Sequence, residues 1–263
     1  MSAVARVFLL SPAHCGGERA RLLFDARARF DLARRLHGGH GPSLGEVFAF
    51  LSGLYFRGKL TYALAFARPP AGGAGLYVIT PCDGLCAAEE PVDVVRLRRF
   101  AAVDIATGDP RYHEPLARDA GRLAAALDAA AEVVLLGSVA TGKYVEPLTR
   151  ALGDRLRFPA EFVGRGDMSR GGLLLRAVRS GVELAYVPVA GAARRGARPA
   201  RLEPVPRLVP PTASRLATPA RPGPASALAP PPRVDPPPHL DPPHPGPGRP
   251  GPRPGSGPVR PDR

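Results

Sequence analysis

Proline is unevenly distributed along the chain, and this limits how much of it can fold. Of the 34 prolines, 22 lie between Glu203 and Arg263, a segment that contains no Phe, Tyr or Lys. Such a segment has too little apolar surface to offset its ordering entropy, so we predict a disordered tail that is partly polyproline II. The remaining residues, 1–202, are enough for one α/β globular domain.

The chain is strongly basic, with a formal net charge of +13. This balance favours an anionic partner such as a nucleotide or a nucleic acid. The number of arginines also reflects a composition bias, since the chain has 34 Arg against 2 Lys and no Asn or Gln. The tail carries eight arginines against four acidic residues. Proline-rich sequences flanked by arginine suit Pro-recognising domains or acidic surfaces, so the tail is expected to recruit such a partner.

The cysteines and the apolar segments indicate the cellular compartment of the protein. Cys15, Cys82 and Cys86 form no C-x-x-C pair, and no basic region followed by a long apolar core opens the chain. No apolar run reaches the roughly 18 residues that a membrane span needs. The sequence therefore predicts a cytoplasmic protein with reduced thiols and no membrane partner.

Strand-like and helix-like segments alternate, which predicts an α/β protein: a single three-layer sandwich with a mostly parallel sheet. Val92 to Asp104 is ambiguous between strand and loop, and an edge strand is expected near Leu156. Ser43 and Glu46 form a capping-box pattern at the start of the second helix. The predicted strands are Ala5–Ser11, Gly75–Thr80, Glu132–Leu136 and Glu183–Val189, and the predicted helices are Glu18–Leu36, Leu44–Ala67, Glu114–Ala131, Glu146–Leu152 and Leu173–Arg179.

The stretch GSVATGKY, from Gly137 to Tyr144, follows an apolar strand and precedes a helix. It satisfies G-x-x-x-x-G-K, but Tyr144 stands where a P-loop has the Ser or Thr that reaches magnesium. Three interpretations stay open: an anion-binding turn at a helix start, a degenerate P-loop, and an ordinary strand–helix turn. The phosphate-binding candidates in this stretch are Gly137, Ser138, Thr141, Gly142, Lys143 and Tyr144.

A second glycine-rich run, GRGDMSRGG, starts at Gly164. Arg165, Ser169 and Arg170 are phosphate-binding candidates, because a guanidinium offers forked donors to a phosphate. Asp167 is a candidate general base, although it could instead hold a ribose hydroxyl or pair with an arginine. In an open α/β sheet both loops would meet beyond the carboxyl ends of the strands, where Lys143 and the two arginines would converge on one anion.

The chain's two lysines, Lys59 and Lys143, both follow glycine. In a chain that uses arginine almost everywhere, a retained lysine indicates a position where a compact ammonium of adjustable pKa is needed. Lys59, with Arg57 nearby, is therefore added to the ligand-binding candidates. His14 and Asp83, each in a loop after a predicted strand, complete the candidate catalytic residues.

One part of the chain resembles a known family. The segment ITPCDGL, an extended Pro-Val stretch, a helix and an apolar strand leading to GSVATGKY are similar to the YaaA-like proteins, over about Gly75 to Arg176. Cys82-Asp83-Gly84-Leu85 stands where that family usually has Lys-Tyr-Gly-Leu. The resemblance implies a bacterial α/β protein related in fold to uracil-DNA glycosylases, with nucleic acid or nucleotide as its ligand.

Three functions follow as alternatives. The first is a phosphate-binding enzyme, a hydrolase or transferase, that acts on a nucleotide or nucleic acid. The second is a non-catalytic DNA- or RNA-binding module, whose affinity would fall steeply with added salt. The third is a small-molecule kinase with a degenerate P-loop, which would use magnesium. No cofactor is identified from the sequence, and no metal-ligand motif is present.

Overall fold

The structure is a computed structural model that describes residues 4–106, 108–140 and 142–202. These residues belong to one compact unit, Met1–Pro206. The predicted disordered tail, residues 203–263, lies outside the described residues, and so does Thr141.

Six strands and eight α-helices occur in the described residues. The strands are β1 (Arg6–Leu10), β2 (Leu76–Ile79), β3 (Leu85–Cys86), β4 (Glu132–Leu136), β5 (Leu156–Pro159) and β6 (Tyr186–Pro188). The helices are α1 (Glu18–Phe24), α2 (Asp31–His37), α3 (Leu44–Ser52), α4 (Leu54–Phe66), α5 (Val94–Ala101), α6 (Pro110–Ala126), α7 (Gly142–Leu152) and α8 (Asp167–Ser180). Short 3-10 turns at Gly153–Arg155 and Ala160–Phe162 flank β5.

The α/β class is confirmed, but the prediction of a mostly parallel sheet is wrong, because the sheet is mixed. Its order is β3-β2-β1-β4-β5-β6, with β2, β1, β4 and β5 parallel and each edge strand antiparallel to its neighbour. The β3 edge follows from a tight turn: Gly84 has a φ of 71°, and the Thr80 N–H donates to the Gly84 carbonyl at 2.9 Å. The chain therefore folds straight back onto β2.

The two central strands lie at the middle of the core. Residues 7–10 of β1 and residues 133–136 of β4 are all fully buried. Successive strand residues point to opposite faces, so both faces of the sheet are covered. On one face, the Phe8 ring packs edge-on against Tyr62 of α4, with their centroids 5.7 Å apart.

Two predicted long helices are each divided into two. The predicted helix Glu18–Leu36 is wrong as a single element, because the chain leaves helical geometry between α1 and α2. The predicted helix Leu44–Ala67 is broken at Gly53, whose φ of 66° ends α3 and starts α4. The capping box at Ser43 is confirmed, since the Ser43 hydroxyl accepts from the Glu46 N–H at 3.2 Å.

Other predicted bounds are also corrected. The ambiguous stretch from Val92 contains the helix α5, capped by the Asp93 side chain. The strand at Leu156 pairs on both sides, with β4 and with β6, so it is internal and the prediction of an edge strand is wrong. Helix α7 begins four residues before its predicted start, which places Pro147 inside the helix.

The GRGDMSRGG run is helical from Asp167 onward, so the predicted loop is largely the first turns of α8. One glycine of this run, Gly171, serves helix packing. A Cβ built on Gly171 would lie 3.0 Å from the Cα of Tyr55 in α4. A Cβ on Gly58 of α4 would in turn lie 2.9 Å from the Gly171 carbonyl oxygen. The two helices therefore cross in near contact. None of the described helices combines the length and apolar character needed to cross a lipid bilayer.

Candidate functional site

A cleft of about 910 Å³ lies beyond the carboxyl ends of the central strands. Ser11 follows β1, Pro81 follows β2 and Ser138 follows β4, and all three residues line the cleft. Helices α4, α7 and α8 contribute Lys59, Lys143 and Asp167 as further lining residues. This is the position where open α/β sheets bind their ligands, and the volume suits a small molecule of about nucleotide size.

Lys59 lies almost completely inside the protein at this cleft, with only 1% of its surface exposed. The Nζ atom lies 2.6 Å from the Ser11 carbonyl oxygen and 2.9 Å from the Ser11 hydroxyl oxygen. It also lies 4.7 Å from the ring centroids of Tyr55 and Phe56. The amine is therefore held by Ser11, at the end of β1, and by two aromatic rings of its own helix.

Burial governs the charge of this amine. Desolvation lowers the pKa of Lys59 to about 7, an effect to which the positive charge of Arg170 adds and which the negative charge of Asp167 partly opposes. A lysine of this pKa is present in both protonation states near neutral pH. The direction of this shift is the one that the sequence-based hypothesis for the retained lysines requires.

Tyr144 packs against the same serine. Its hydroxyl interacts with the Ser11 side chain and with the Ser138 backbone, while burial, the largest effect, raises the pKa of Tyr144 to about 12. Gly137 permits this approach: a Cβ built there would lie 2.7 Å from the Cβ of Ser11 and 3.1 Å from the Tyr144 hydroxyl. The tyrosine that replaces the P-loop Ser or Thr therefore places its hydroxyl at the end of β1.

Lys143 and Ser138 line the cleft on the side of α7. Lys143 lies in the first turn of this 11-residue helix, and Gly142 begins it. The N–H groups of a first turn have no partner within their own helix and favour an anion. Thr141, a further predicted ligand residue, lies outside the described residues.

Asp167 and Arg170 of α8 form an ion pair of 3.4 Å, in which Asp167 is 68% exposed and Arg170 is 9% exposed. Asp167 lines the cleft, whereas Arg170 is not among the lining residues. The Arg170 guanidinium donates from Nε and Nη2 to the Phe162 carbonyl oxygen, at 3.2 and 3.1 Å. Arg170 thus ties the start of α8 to the turn after β5.

The other predicted phosphate-binding residues lie away from the cleft. Arg165 donates to the Ser169 hydroxyl and to the Ala200 carbonyl, both at 3.3 Å. Arg57 is exposed and lines a separate groove together with Arg19 and Met168. The structure therefore joins the two glycine-rich segments through Lys143 and Asp167, and does not bring the arginines into the same cleft.

Of the two remaining catalytic candidates, His14 and Asp83, only His14 lines the cleft. His14 is exposed and lines the cleft. Asp83 does not line it: Arg96 Nε donates to its carboxylate at 2.7 Å, Arg99 forms a second ion pair, and the Asp83 N–H donates to the Thr80 hydroxyl at 2.9 Å. Asp83 thus joins the β2–β3 turn to α5.

Three parts of the cleft were not predicted from the sequence. Ser11 ends a predicted strand and opens the loop SPAHCGG, which the sequence also places at the cleft, but no role for its hydroxyl is predicted, although a hydroxyl at the carboxyl end of a central strand is a usable signal. Tyr55 lines the cleft, and within the described residues its buried hydroxyl makes no hydrogen bond of ordinary geometry. The segment 100–106 closes one side of the cleft and carried no motif that could have placed it there.

Cys15 lines the cleft as well, but burial raises the pKa of its thiol to about 12. It is therefore a poor nucleophile at neutral pH. Among residues 4–106, 108–140 and 142–202, no group of three or more His, Cys, Asp or Glu side chains is placed to hold a metal ion. No protein-family model, curated protein or solved structure matches the chain.

Proposed function

We propose that the cleft binds a phosphate-bearing small molecule, of which a nucleotide is the expected class. The observation that carries the proposal is that both lysines of the chain, Lys59 and Lys143, line the same cleft. Lys143 stands in the first turn of α7, where the positive end of the helix dipole adds to the attraction of its ammonium, although the Glu146 carboxylate also lies near Gly142. The Ser138 hydroxyl beside it can donate to a phosphate oxygen.

The cleft is lined by charges of both signs. Asp167 and Asp104 also line it, but Asp167 pairs with Arg170. His14, an exposed side chain, lines the cleft as well. A cleft of about 910 Å³ fits a mononucleotide better than a nucleic-acid duplex.

The function test is binding of inorganic phosphate, a nucleoside monophosphate and ATP with magnesium to the full-length protein, measured by calorimetry. Lys143→Ala is expected to weaken phosphate and nucleotide binding at least tenfold, because it removes the ammonium beside the helix start. Arg150→Ala is the matched control, since Arg150 is an exposed cation in the last turn of the same helix. Equal affinities of the Lys143→Ala variant and the wild type would contradict the proposal.

The same experiment separates the alternatives. A kinase requires magnesium-dependent ATP binding, whereas the buried position of the Tyr144 hydroxyl beside Ser11 supports phosphate binding without a P-loop magnesium. A DNA- or RNA-binding module, which the YaaA-like resemblance suggests, requires oligonucleotide affinity that falls steeply with salt and does not depend on Lys143 alone.

A further inference from the structure

We propose that Ser11 is a nucleophile and Lys59 its general base, so that the cleft hydrolyses a carboxylic ester carried by the anionic ligand. The inference rests on the proposed function only for the anionic part of the substrate. Its chemistry rests on the geometry of the two side chains. Ser11 is 6% exposed and Lys59 1% exposed, and both line the cleft.

The distances match a serine–lysine pair. With Nζ 2.9 Å from the Ser11 hydroxyl oxygen, the lone pair of a neutral amine can accept the serine proton. One N–H of the same amine donates to the Ser11 carbonyl oxygen at 2.6 Å, which leaves the lone pair free to face the Ser11 hydroxyl. Pairs of this kind replace Ser-His-Asp triads on unrelated folds.

The groups around Lys59 leave a fraction of its amine unprotonated at neutral pH. Burial lowers the pKa of Lys59 to about 7, close to the value at which a general base works best. The titratable and charged groups that face it are on every element around the cleft. They are Tyr55 on its own helix, Asp167 and Arg170 on α8, Lys143 and Tyr144 on α7, His14 and Cys15 after β1 and Asp104 after α5.

The reaction balances within the site. The Ser11 oxygen attacks the ester carbon as its proton passes to Lys59 Nζ, and the carbonyl electron pair moves onto oxygen. The tetrahedral adduct expels the alkoxide, which takes the proton back from Nζ and leaves as an alcohol. Water then attacks the acyl-serine, its proton passes to Lys59, and Ser11 leaves with that proton as the free acid is released.

Tyr144 can stabilise the oxyanion of both adducts. Its hydroxyl interacts with the Ser11 side chain, and burial raises the pKa of Tyr144 to about 12, so the hydroxyl stays protonated and able to donate. Gly137 leaves the space in which the tyrosine and the serine meet. A residue with a Cβ at this position would separate them.

The chemistry is tested with a fluorophosphonate, which an activated serine displaces at phosphorus with loss of fluoride. Full-length protein is expected to be labelled at Ser11, as located by peptide mass spectrometry, and Ser11→Ala is expected to lose that label. Lys59→Met should label about 100-fold more slowly or worse, the size of a general-base contribution. Arg57→Met, an exposed cation on the same helix, should label at the wild-type rate.

The wild-type protein gives a second readout that does not depend on a variant folding. Its labelling rate should rise with pH around a midpoint near 7 and level off above, as the pKa of Lys59 requires. Labelling elsewhere, no labelling, a Lys59→Met rate equal to wild type, or a flat profile from pH 6 to 9 would each overturn the inference. Unchanged phosphate affinity in Lys143→Ala, with Ser11 labelling intact, would contradict the proposed function alone.

Discussion

Gly58 of α4 and Gly171 of α8 face each other so closely that a Cβ on Gly58 would lie 2.9 Å from the carbonyl oxygen of Gly171. This contact brings the helix that carries Lys59 against the helix that carries Asp167. The pKa of Lys59 is sensitive to the charges of Asp167 and Arg170 because of it. The close crossing of the two helices therefore adds the charges of α8 to the effect of burial on Lys59.

Gly58→Ala is expected to destabilise the protein by about 1–3 kcal/mol, although alanine is the better helix former, because the added methyl meets the backbone of a packed helix. Gly121→Ala in α6 is the control. A Cβ at Gly121 meets nothing within 4 Å. That change should raise stability by up to about 1 kcal/mol. Urea unfolding measures both, and stabilisation by Gly58→Ala would show that the helices do not cross this tightly.

The same contact shows where sequence-based prediction fails. The glycines in GRGDMSRGG predict a loop that approaches a ligand, since glycine is rare inside helices. Gly171 is instead used to let two helices touch, and this requirement comes from a partner helix more than 100 residues away in sequence. The buried strands β1 and β4 were predicted well, because continuous apolar runs report burial locally.

Lys59→Met is expected to change how stability depends on pH. The pKa of Lys59 is about 7 in the folded protein against an ordinary value of 10.5, so between these values the unfolded chain binds the extra proton. As the pH rises from 7 to 10.5, the free energy of unfolding of the wild type therefore increases by up to about 1.4 kcal/mol per pH unit. Below pH 7 the lysine is charged in both states, so the full cost of burying its charge lowers the stability of the wild type.

Relative to the wild type, Lys59→Met should thus be most stable below pH 7 and lose this advantage progressively toward pH 10. Denaturant unfolding at pH 6, 7, 8 and 9 measures the difference. Arg57→Met, an exposed position on the same helix, should differ from the wild type by the same amount at every pH. A pH-independent difference for Lys59→Met would mean that the lysine keeps its ordinary pKa.

Asp83→Asn is expected to act on stability and leave the cleft unchanged. The Asp83 carboxylate accepts from Arg96 and Arg99, and removing its charge should cost about 1–2 kcal/mol. Phosphate affinity and Ser11 labelling should equal those of the wild type, since Asp83 does not line the cleft. Thermal unfolding and calorimetry measure both properties. Loss of labelling with unchanged stability would restore Asp83 as a catalytic candidate.

The cleft itself could be predicted in part. Lys143, Ser138 and His14 follow strands, and the topology of an α/β sheet gathers such residues at one edge. The pairing of Ser11 with Lys59 spans 48 residues and depends on how α4 lies over β1, which no local pattern encodes. The retention of lysine in an arginine-rich chain was the available signal for Lys59. No comparable signal showed that Arg165 and Arg170 bind backbone carbonyls.

Asp167→Asn should move the pH profile of Ser11 labelling to lower pH. The negative charge of Asp167 raises the pKa of Lys59, so its removal lowers that pKa further and leaves the amine neutral at lower pH. The rate on the alkaline plateau should stay unchanged, because Lys59 is already neutral there in both proteins. Asp167 is 68% exposed, so the substitution should not disturb folding. Asp154→Asn, an exposed carboxylate outside the cleft, is the control and should leave the midpoint in place. A midpoint that stays in place or moves to higher pH would contradict the coupling of Asp167 to Lys59, and a plateau rate that collapses would instead make Asp167 the base that activates Ser11.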